Sequence, residues 1–159
     1  MKTSWLQWGM PITIDINDPK AKSNDFDDVK DYFNYIDTVF STYREDSEIS
    51  KINNHLLSEE QYSVDMKQIF KLSEETKTLT NGYFDIKKDA HIDPSGIVKG
   101  WAIYKASQIL KEKGYKNFYI DAGGDIEVSG QNEKNENWNI GIKSPFNPNE
   151  IGIVTGKQR

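Results

Sequence analysis

The sequence Ile-Asp-Pro-Ser-Gly-Ile-Val-Lys-Gly, residues 92–100, joins the end of a strand to the start of a helix. Its Pro-Ser-Gly turn predicts a helix from Pro94 to about Lys113, which Gly114 ends. A helix that begins directly after a strand directs backbone N–H groups at an anion. Lys99 adds a cationic donor for a phosphate, and Gly100 permits close approach by a ligand. An ordinary capped helix with an exposed lysine has the same sequence, and the spacing alone favours that simpler interpretation.

The spacing of apolar residues predicts the other elements around this turn. Helices are predicted at 26–40, with Asn24 or Asp25 as the N-cap, and from Ser63 to Asn81-Gly82, with a long loop between them at 41–62. Strands are predicted at 11–17, 83–86, 117–121, 126–129 and 138–143, the last two as one hairpin, and a further strand begins at 151. This order predicts an α+β fold in which helices pack against a largely antiparallel sheet.

Length and composition restrict the classes of function. The 159 residues correspond to one domain, at the usual length of roughly 100–200 residues per domain. The chain has no cysteine, which excludes disulfides, a thiol nucleophile and a cysteine zinc site. A net charge of −5 argues against a nucleic-acid partner. No apolar run approaches the roughly 18 residues of a membrane span, and no secretory signal is present, so we expect a cytoplasmic location.

Three further turns are candidates for chemistry. The two glycines of Asp-Ala-Gly-Gly-Asp, residues 121–125, suit a nest of N–H groups for an anion, a close backbone approach to a flat ring, or simply a hairpin turn. Asn-Gly-Tyr-Phe-Asp, residues 81–85, supplies a ring and a carboxylate that suit a heterocycle, or a buried Phe beside a surface Asp. Tyr43 and Arg44 suit stacking and pairing with a ligand, or a solvated loop.

Carboxylates recur along the chain and raise the question of a metal. Magnesium prefers oxygen ligands and shares them with substrate phosphates. In a chain with 25 acidic residues, scattered aspartates give weak support for such a site, and two histidines, His55 and His91, add little. The recurring aspartates are Asp85, Asp89, Asp93, Asp121 and Asp125.

Taken together and in order, six segments resemble the ApbE family, the FAD:protein FMN transferases. Each match is short, but six in the same order over most of the chain make the resemblance specific. The segments are 9–14 (Gly-Met-Pro-Ile-Thr-Ile), 40–53 (from Phe-Ser-Thr-Tyr-Arg to Ile-Asn), 81–85, 93–102 (Asp-Pro-Ser-Gly-Ile-Val-Lys-Gly-Trp-Ala), 121–125 and 138–145 (Trp-Asn-Ile-Gly-Ile-Lys-Ser-Pro).

The resemblance implies a magnesium-dependent transfer in which FMN passes from FAD to a threonine hydroxyl of a target flavoprotein, with release of AMP. It implies that Met10 and Tyr43 contact the flavin nucleotide and that the Gly96 carbonyl is one metal ligand. It names no catalytic residue. The other residues that it assigns to the FAD site are Phe84 and Asp85, which shape the pocket, Ile97 and Lys99, the latter near the phosphates, and Asp121, Ala122, Gly123, Gly124 and Asp125, which line the nucleotide.

The sequence also departs from the family pattern. Asp121 stands where the family has Asn, and Tyr104 where an Asp is usual. The family continues for roughly as long again, and its His-Ile-x-Pro segment and its C-terminal magnesium-binding Asp and Thr have no counterpart here. We therefore expect residues 1–159 to be the N-terminal part of a single ApbE-like domain.

Three functional interpretations remain open at this stage. The chain is an FMN transferase, or it is a truncated, non-catalytic module that binds FAD. The third interpretation is a fragment with an unfinished sheet edge, which associates with other copies, and a homo-oligomer is left open.

Overall fold

The structure is a computed structural model that describes residues 1–147 and 151–155. It divides into two compact units, Met1–Val29 with Lys105–Arg159, here the sheet unit, and Lys30–Tyr104, here the helical unit. The elements in chain order are β1 (Lys2–Gln7), β2 (Met10–Ile16), α1 (Asp25–Phe40), α2 (Glu48–Asn53), a 3-10 helix (Glu59–Gln61), α3 (Val64–Leu79), β3 (Lys87–Lys88), β4 (His91–Ile92), α4 (Ser95–Glu112), β5 (Phe118–Ala122), β6 (Asp125–Ser129), β7 (Asn139–Lys143) and β8 (Ile151–Thr155).

An antiparallel sheet of four strands, in the order β1-β2-β5-β6, forms the sheet unit together with the separate β7-β8 pair. Alternate residues of β2 and β5 face one side of the sheet, because successive side chains of a strand point in opposite directions. The register pairs Ile14 with Ile120. Both are fully buried, as are Ile12, Ile16, Phe118 and Ala122. The predicted strands at 11–17 and 117–121 are confirmed, and with them the α+β class with an antiparallel sheet.

The predicted hairpin of 126–129 with 138–143 is wrong. β6 pairs with β5, and β7 pairs with β8. Gly123 and Gly124 have φ values of +58° and +94°, the left-handed backbone that a two-residue hairpin connection requires. The apolar pattern predicts where a strand lies but not which strand it pairs with. Here the turn at Gly123 and Gly124 makes β5 the partner of β6.

The helical unit has a core of apolar residues at helical spacing. On α1, Phe33 and Ile36 are buried, and on α3, Met66 and Ile69 are buried. The predicted helices at 26–40, from Ser63 and from Pro94 are all present. The sequence pattern also predicts Leu79 on the same side of α3 as Met66 and Ile69, and it is instead 84% exposed.

Two predictions in the helical unit are wrong. The expected loop at 41–62 contains α2 and the 3-10 helix. The predicted strand at 83–86 is a turn, in which the Phe84 N–H donates to Thr80 Oγ1 (3.0 Å). Asn81 and Gly82 have φ values of +52° and +83°, so the chain reverses at this point, and the short β3-β4 hairpin follows. Among the described residues, no helix has the length and apolar character that a bilayer crossing requires.

Candidate functional site

The residues predicted for the FAD site are divided between the two units. The sheet unit carries Met10 and residues 121–125. The helical unit carries the rest, which are Tyr43, Phe84, Asp85, Gly96, Ile97 and Lys99.

In the sheet unit, the hairpin turn after β5 contacts the start of β2. Gly123 N–H donates to the Pro11 carbonyl (3.2 Å). A Cβ atom on Gly123 would lie 2.7 Å from Met10 Sδ, closer than a side chain tolerates. Only glycine therefore fits this turn without displacing Met10. Two of the predicted motifs, far apart in sequence, meet here.

The Asp121 carboxylate accepts two hydrogen bonds next to the same turn. Its Oδ1 accepts from the Gly124 N–H (2.8 Å), and its Oδ2 accepts from the Tyr119 hydroxyl (3.1 Å). Burial, with Asp121 as a second cause, raises the pKa of Tyr119 to about 12, so this phenol stays protonated and donates at neutral pH. The N–H groups of Gly123 and Gly124 both donate within the protein. The turn therefore favours a close backbone approach to a ligand over a nest of free N–H groups.

The Trp138 motif is anchored on the sheet unit. The Trp138 indole N–H donates to the Ser129 carbonyl (3.0 Å). Its ring lies 5.5 Å from the Tyr119 ring, centroid to centroid, at an interplanar angle of 34°. The Tyr119 ring thus links this motif to Asp121 and the glycine turn.

In the helical unit, Phe84 packs on the first turn of α4. A Cβ atom on Gly96 would lie 3.3 Å from Phe84 Cε2, so a small residue at position 96 lets the ring approach the helix backbone. This is a second pair of predicted motifs, 81–85 and 93–102, in contact.

Asp85 is held by an ion pair. Its Oδ2 lies 2.6 Å from Lys77 Nζ, and its Oδ1 accepts from the Lys87 N–H (2.9 Å). The Lys77 hydrogen bond, followed by that from Lys87, lowers the pKa of Asp85, and Asp85 in turn raises the pKa of Lys77. Asp85 is therefore ionised at neutral pH and neutralised locally.

The start of α4 is capped from within the protein. Asp93 Oδ1 accepts from the Ser95 N–H (3.0 Å), and the Pro94 carbonyl accepts from the N–H groups of Ile97 and Val98, both at 3.0 Å. These contacts match the simpler interpretation, a capped helix. Ile97 and Lys99 are half-buried on the first turns of the helix.

Tyr43 lines a cleft of about 270 Å³. This is slightly below the roughly 300–1,000 Å³ of typical small-molecule sites. The Tyr43 side chain is 97% exposed, so its ring presents a face for stacking. The full lining is Thr42, Tyr43, Arg44, Glu45, Ser50, Asn53, Asn54 and His91.

Arg44 is engaged by two carboxylates. Its Nε and Nη2 donate to the two oxygens of Asp46 at 3.1 and 2.9 Å, and its Nη1 lies 3.5 Å from Asp37 Oδ2. The Asp46 hydrogen bond raises the pKa of Arg44, and the same bond lowers the pKa of Asp46. Arg44 is thus held by Asp46 and Asp37, and the hypothesis that Tyr43 and Arg44 act as a pair on a ligand stays a prediction.

The sequence analysis assigned no role to two polar residues, Asn53, which lines this cleft, and Ser47. Ser47 is fully buried and caps α2, and its place before Glu48 is the signal that would have located the helix. Asn53, quoted above only as part of a motif, exchanges two hydrogen bonds with the backbone of Ile92. No sequence pattern indicates a partner 39 residues away.

The side chains that could hold a magnesium ion are scattered. Magnesium demands near-octahedral oxygen coordination, often with several waters. Within residues 1–147 and 151–155, no group of three or more His, Cys, Asp or Glu side chains is placed to hold a metal ion. The described residues therefore offer no such cluster of side chains, and the Gly96 carbonyl stays a prediction.

Comparison with known proteins gives consistent matches. The model of the ApbE family matches residues 8–88 and 86–159. The chain is similar to the FAD:protein FMN transferase of Vibrio cholerae, at 24% identity. The alignment is 160 positions long and covers 69% of this chain and 48% of that protein. The chain thus spans about half the length of this relative.

Two solved structures show the same fold. The flavin transferase ApbE from Vibrio cholerae matches with a TM-score of 0.87 at 21% identity, covering 96% of this chain and 67% of that one. The apo form of the Pseudomonas stutzeri flavinyl transferase ApbE matches with a TM-score of 0.84 at 18% identity, covering 98% and 65%. At these identities the likeness establishes the fold.

Proposed function

Because this chain belongs to the ApbE family, we propose that it takes part in flavin transfer to protein. In the proposed reaction a threonine oxygen of a target protein bonds to the FMN phosphorus of FAD. The pyrophosphate P–O bond breaks, the hydroxyl proton is lost, and AMP leaves with the bridging oxygen. FAD and the acceptor protein are the two proposed partners.

One observation carries the proposal beyond the family match: the predicted motifs contact each other in pairs. In the sheet unit, Met10 of segment 9–14 lies against Gly123 of segment 121–125. In the helical unit, Phe84 of segment 81–85 lies against Gly96 of segment 93–102. Residues assigned to one ligand are expected to be neighbours in space even where they are far apart in sequence, and the two contacts support the proposal.

The proposed roles follow from the chemistry of the substrate. Cleaving a pyrophosphate requires charge stabilisation and positioning more than covalent participation by the protein. We assign Lys99 to the phosphates, since it is the cation in the first turns of α4, and the Tyr43 ring to stacking on a flat ring of FAD. Residues 121–125 approach the nucleotide with backbone. No step is assigned to magnesium.

The alternative is a module that binds FAD without turning it over. The chain's 48% coverage of the Vibrio cholerae relative is the observation that favours testing it.

A two-stage assay separates the two functions. FAD binding is measured first, by quenching of flavin fluorescence on titration with the protein. Release of AMP from the preformed complex is then followed across a range of magnesium concentrations, with a threonine-bearing acceptor protein present. Binding with AMP release supports transfer, and binding without release at any magnesium concentration supports the module. No binding of FAD would refute both, and a Lys99→Met variant should weaken binding if the lysine meets the phosphates.

A further inference from the structure

The side-chain amide of Asn53 joins two segments of the helical unit. Asn53 is the last residue of α2. Its Nδ2 donates to the Ile92 carbonyl (2.9 Å), and its Oδ1 accepts from the Ile92 N–H (2.8 Å). The amide thereby makes the pair of bonds that a neighbouring strand would make to β4.

The segment that Asn53 holds is weak without it. β3 and β4 are two residues each, and an isolated hairpin of this size is at best marginally stable in water. The residues between them, Asp89 and Ala90, have φ values of +49° and +64°, a backbone that residues other than glycine adopt at a cost. The hairpin therefore depends on bonds from outside itself, and Asn53 supplies two.

Ile92 leads directly into the first turn of α4. The next residue, Asp93, donates its N–H to the Ile86 carbonyl (2.8 Å) and caps the Ser95 N–H. Pro94 is buried, and its ring restricts the backbone. Because few rotatable backbone bonds separate Ile92 from α4, a shift of Ile92 would also shift Gly96 and Lys99.

We propose that Asn53 is a positioning residue: by fixing Ile92 it sets the first turn of α4, with Gly96 and Lys99, in the place where that turn meets FAD. The proposal rests on the proposed function. The amide bonds to Ile92 through both its nitrogen and its oxygen, and in this proposal Asn53 acts through the hairpin and the helix start.

Two variants and a control test this role in the full chain. Asn53→Ala removes both bonds. Asn53→Asp keeps an acceptor for the Ile92 N–H but, when ionised, has no proton for the Ile92 carbonyl. Asn34→Asp, at an exposed position of α1, introduces the same charge elsewhere in the helical unit. Hydrogen–deuterium exchange at Ile92 reports the clamp, and fluorescence titration reports FAD affinity.

We expect Asn53→Ala to raise the exchange rate at Ile92 and to weaken FAD binding, each roughly tenfold, the loss of about two ordinary hydrogen bonds. Near neutral pH, Asn53→Asp should bind FAD as weakly as Asn53→Ala does. Its FAD affinity should recover relative to the wild type as the pH falls towards the ordinary Asp pKa of about 3.9. The protonated acid donates to the carbonyl again. Asn53→Ala should show no such recovery, and Asn34→Asp should match the wild type.

The outcomes distinguish the two proposals. Unchanged exchange at Ile92 in Asn53→Ala would overturn the clamp. Faster exchange with unchanged FAD affinity would overturn the positioning role and leave the proposed function standing. If the wild-type chain did not bind FAD, the proposed function and the flavin role of Asn53 would both fail, and the exchange data would still decide the clamp.

Discussion

Met10 occupies the space that a side chain at Gly123 would need, since a Cβ atom there would lie 2.7 Å from Met10 Sδ. Gly123 also has a φ of +58°, which costs an ordinary residue about 1–2 kcal/mol. We expect Gly123→Ala to lower the free energy of unfolding by about 2 kcal/mol, the backbone cost plus the displacement of Met10. Urea denaturation measures this change.

A double-mutant cycle isolates the contact with Met10. In a Met10→Ala background, Gly123→Ala should cost less, by a coupling of about 0.5–1 kcal/mol, because the clash is already relieved. Gly124→Ala is the matched control: its φ is +94°, but a Cβ there would meet no atom within 4 Å. It should be destabilising and show no coupling to Met10. Equal costs of Gly123→Ala in both backgrounds would contradict the contact.

Ser47 stabilises α2 by two hydrogen bonds. Its hydroxyl accepts from the Ser50 N–H (3.1 Å) and donates to the Ser41 carbonyl (2.7 Å), and the residue is fully buried. Ser47→Ala removes a helix cap and leaves the part-buried Ser41 carbonyl without this donor, so we expect a loss of about 1–3 kcal/mol in the free energy of unfolding. Urea denaturation compares it with Ser23→Ala, an exposed serine.

The control fixes the interpretation of that experiment. Ser23→Ala should stay within about 0.5 kcal/mol of the wild type, as surface substitutions do. A similarly small effect at Ser47 would show that water or a neighbouring group replaces its hydroxyl.

Long periodic segments were predictable from sequence, and short ones were not. α1 was predicted because Phe26, Val29, Phe33, Ile36 and Phe40 repeat at helical spacing over four turns. α2 has only Ile49 and Ile52 as buried apolar residues, too few to establish a period. β1 is an edge strand with half-buried and exposed side chains only, so its apolar alternation is weak.

The candidate site shows the same division. The glycine turn at 123–124 was predictable because its backbone demands glycine locally. The bonds between Asn53 and Ile92 depend on how segments 39 residues apart pack, and sequence spacing carries no record of such packing. The bonds of Arg44 to Asp46 and Asp37 join residues that are close in sequence, but no periodic pattern indicates them.

Tyr115 gives a pH-dependent test in the sheet unit. Its hydroxyl donates to Asp25 Oδ2 (2.6 Å), and this bond, with burial as the second cause, raises the pKa of Tyr115 to about 12. A folded-state pKa above the ordinary value of about 10 adds stability that is complete below pH 10 and is lost as the pH rises to 12. The Tyr115 bond also lowers the pKa of Asp25, so the Asp25 contribution is lost as the pH falls through its folded-state pKa.

Tyr115→Phe should therefore differ most from the wild type at intermediate pH. We expect the difference in unfolding free energy to narrow both towards alkaline pH and towards acid. The difference in phenolate absorbance between the wild type and Tyr115→Phe reports Tyr115 alone. Its midpoint should lie near pH 12. A Tyr115 phenolate that titrates near the ordinary value of about 10 would contradict the bond to Asp25.

The Tyr43 ring gives a prediction on function without a cost in stability. The side chain is 97% exposed, so Tyr43→Ala should leave the unfolding free energy within about 0.5 kcal/mol of the wild type. Stacking of an aromatic side chain on a base is worth about 1–3 kcal/mol on alanine substitution. FAD affinity, measured by fluorescence titration, should therefore fall at least about fivefold in Tyr43→Ala and be largely kept in Tyr43→Phe.

Tyr104→Ala, at a position 53% exposed on α4, is the control and should bind FAD as the wild type does. Equal affinity of Tyr43→Ala and the wild type would remove Tyr43 from the proposed FAD site.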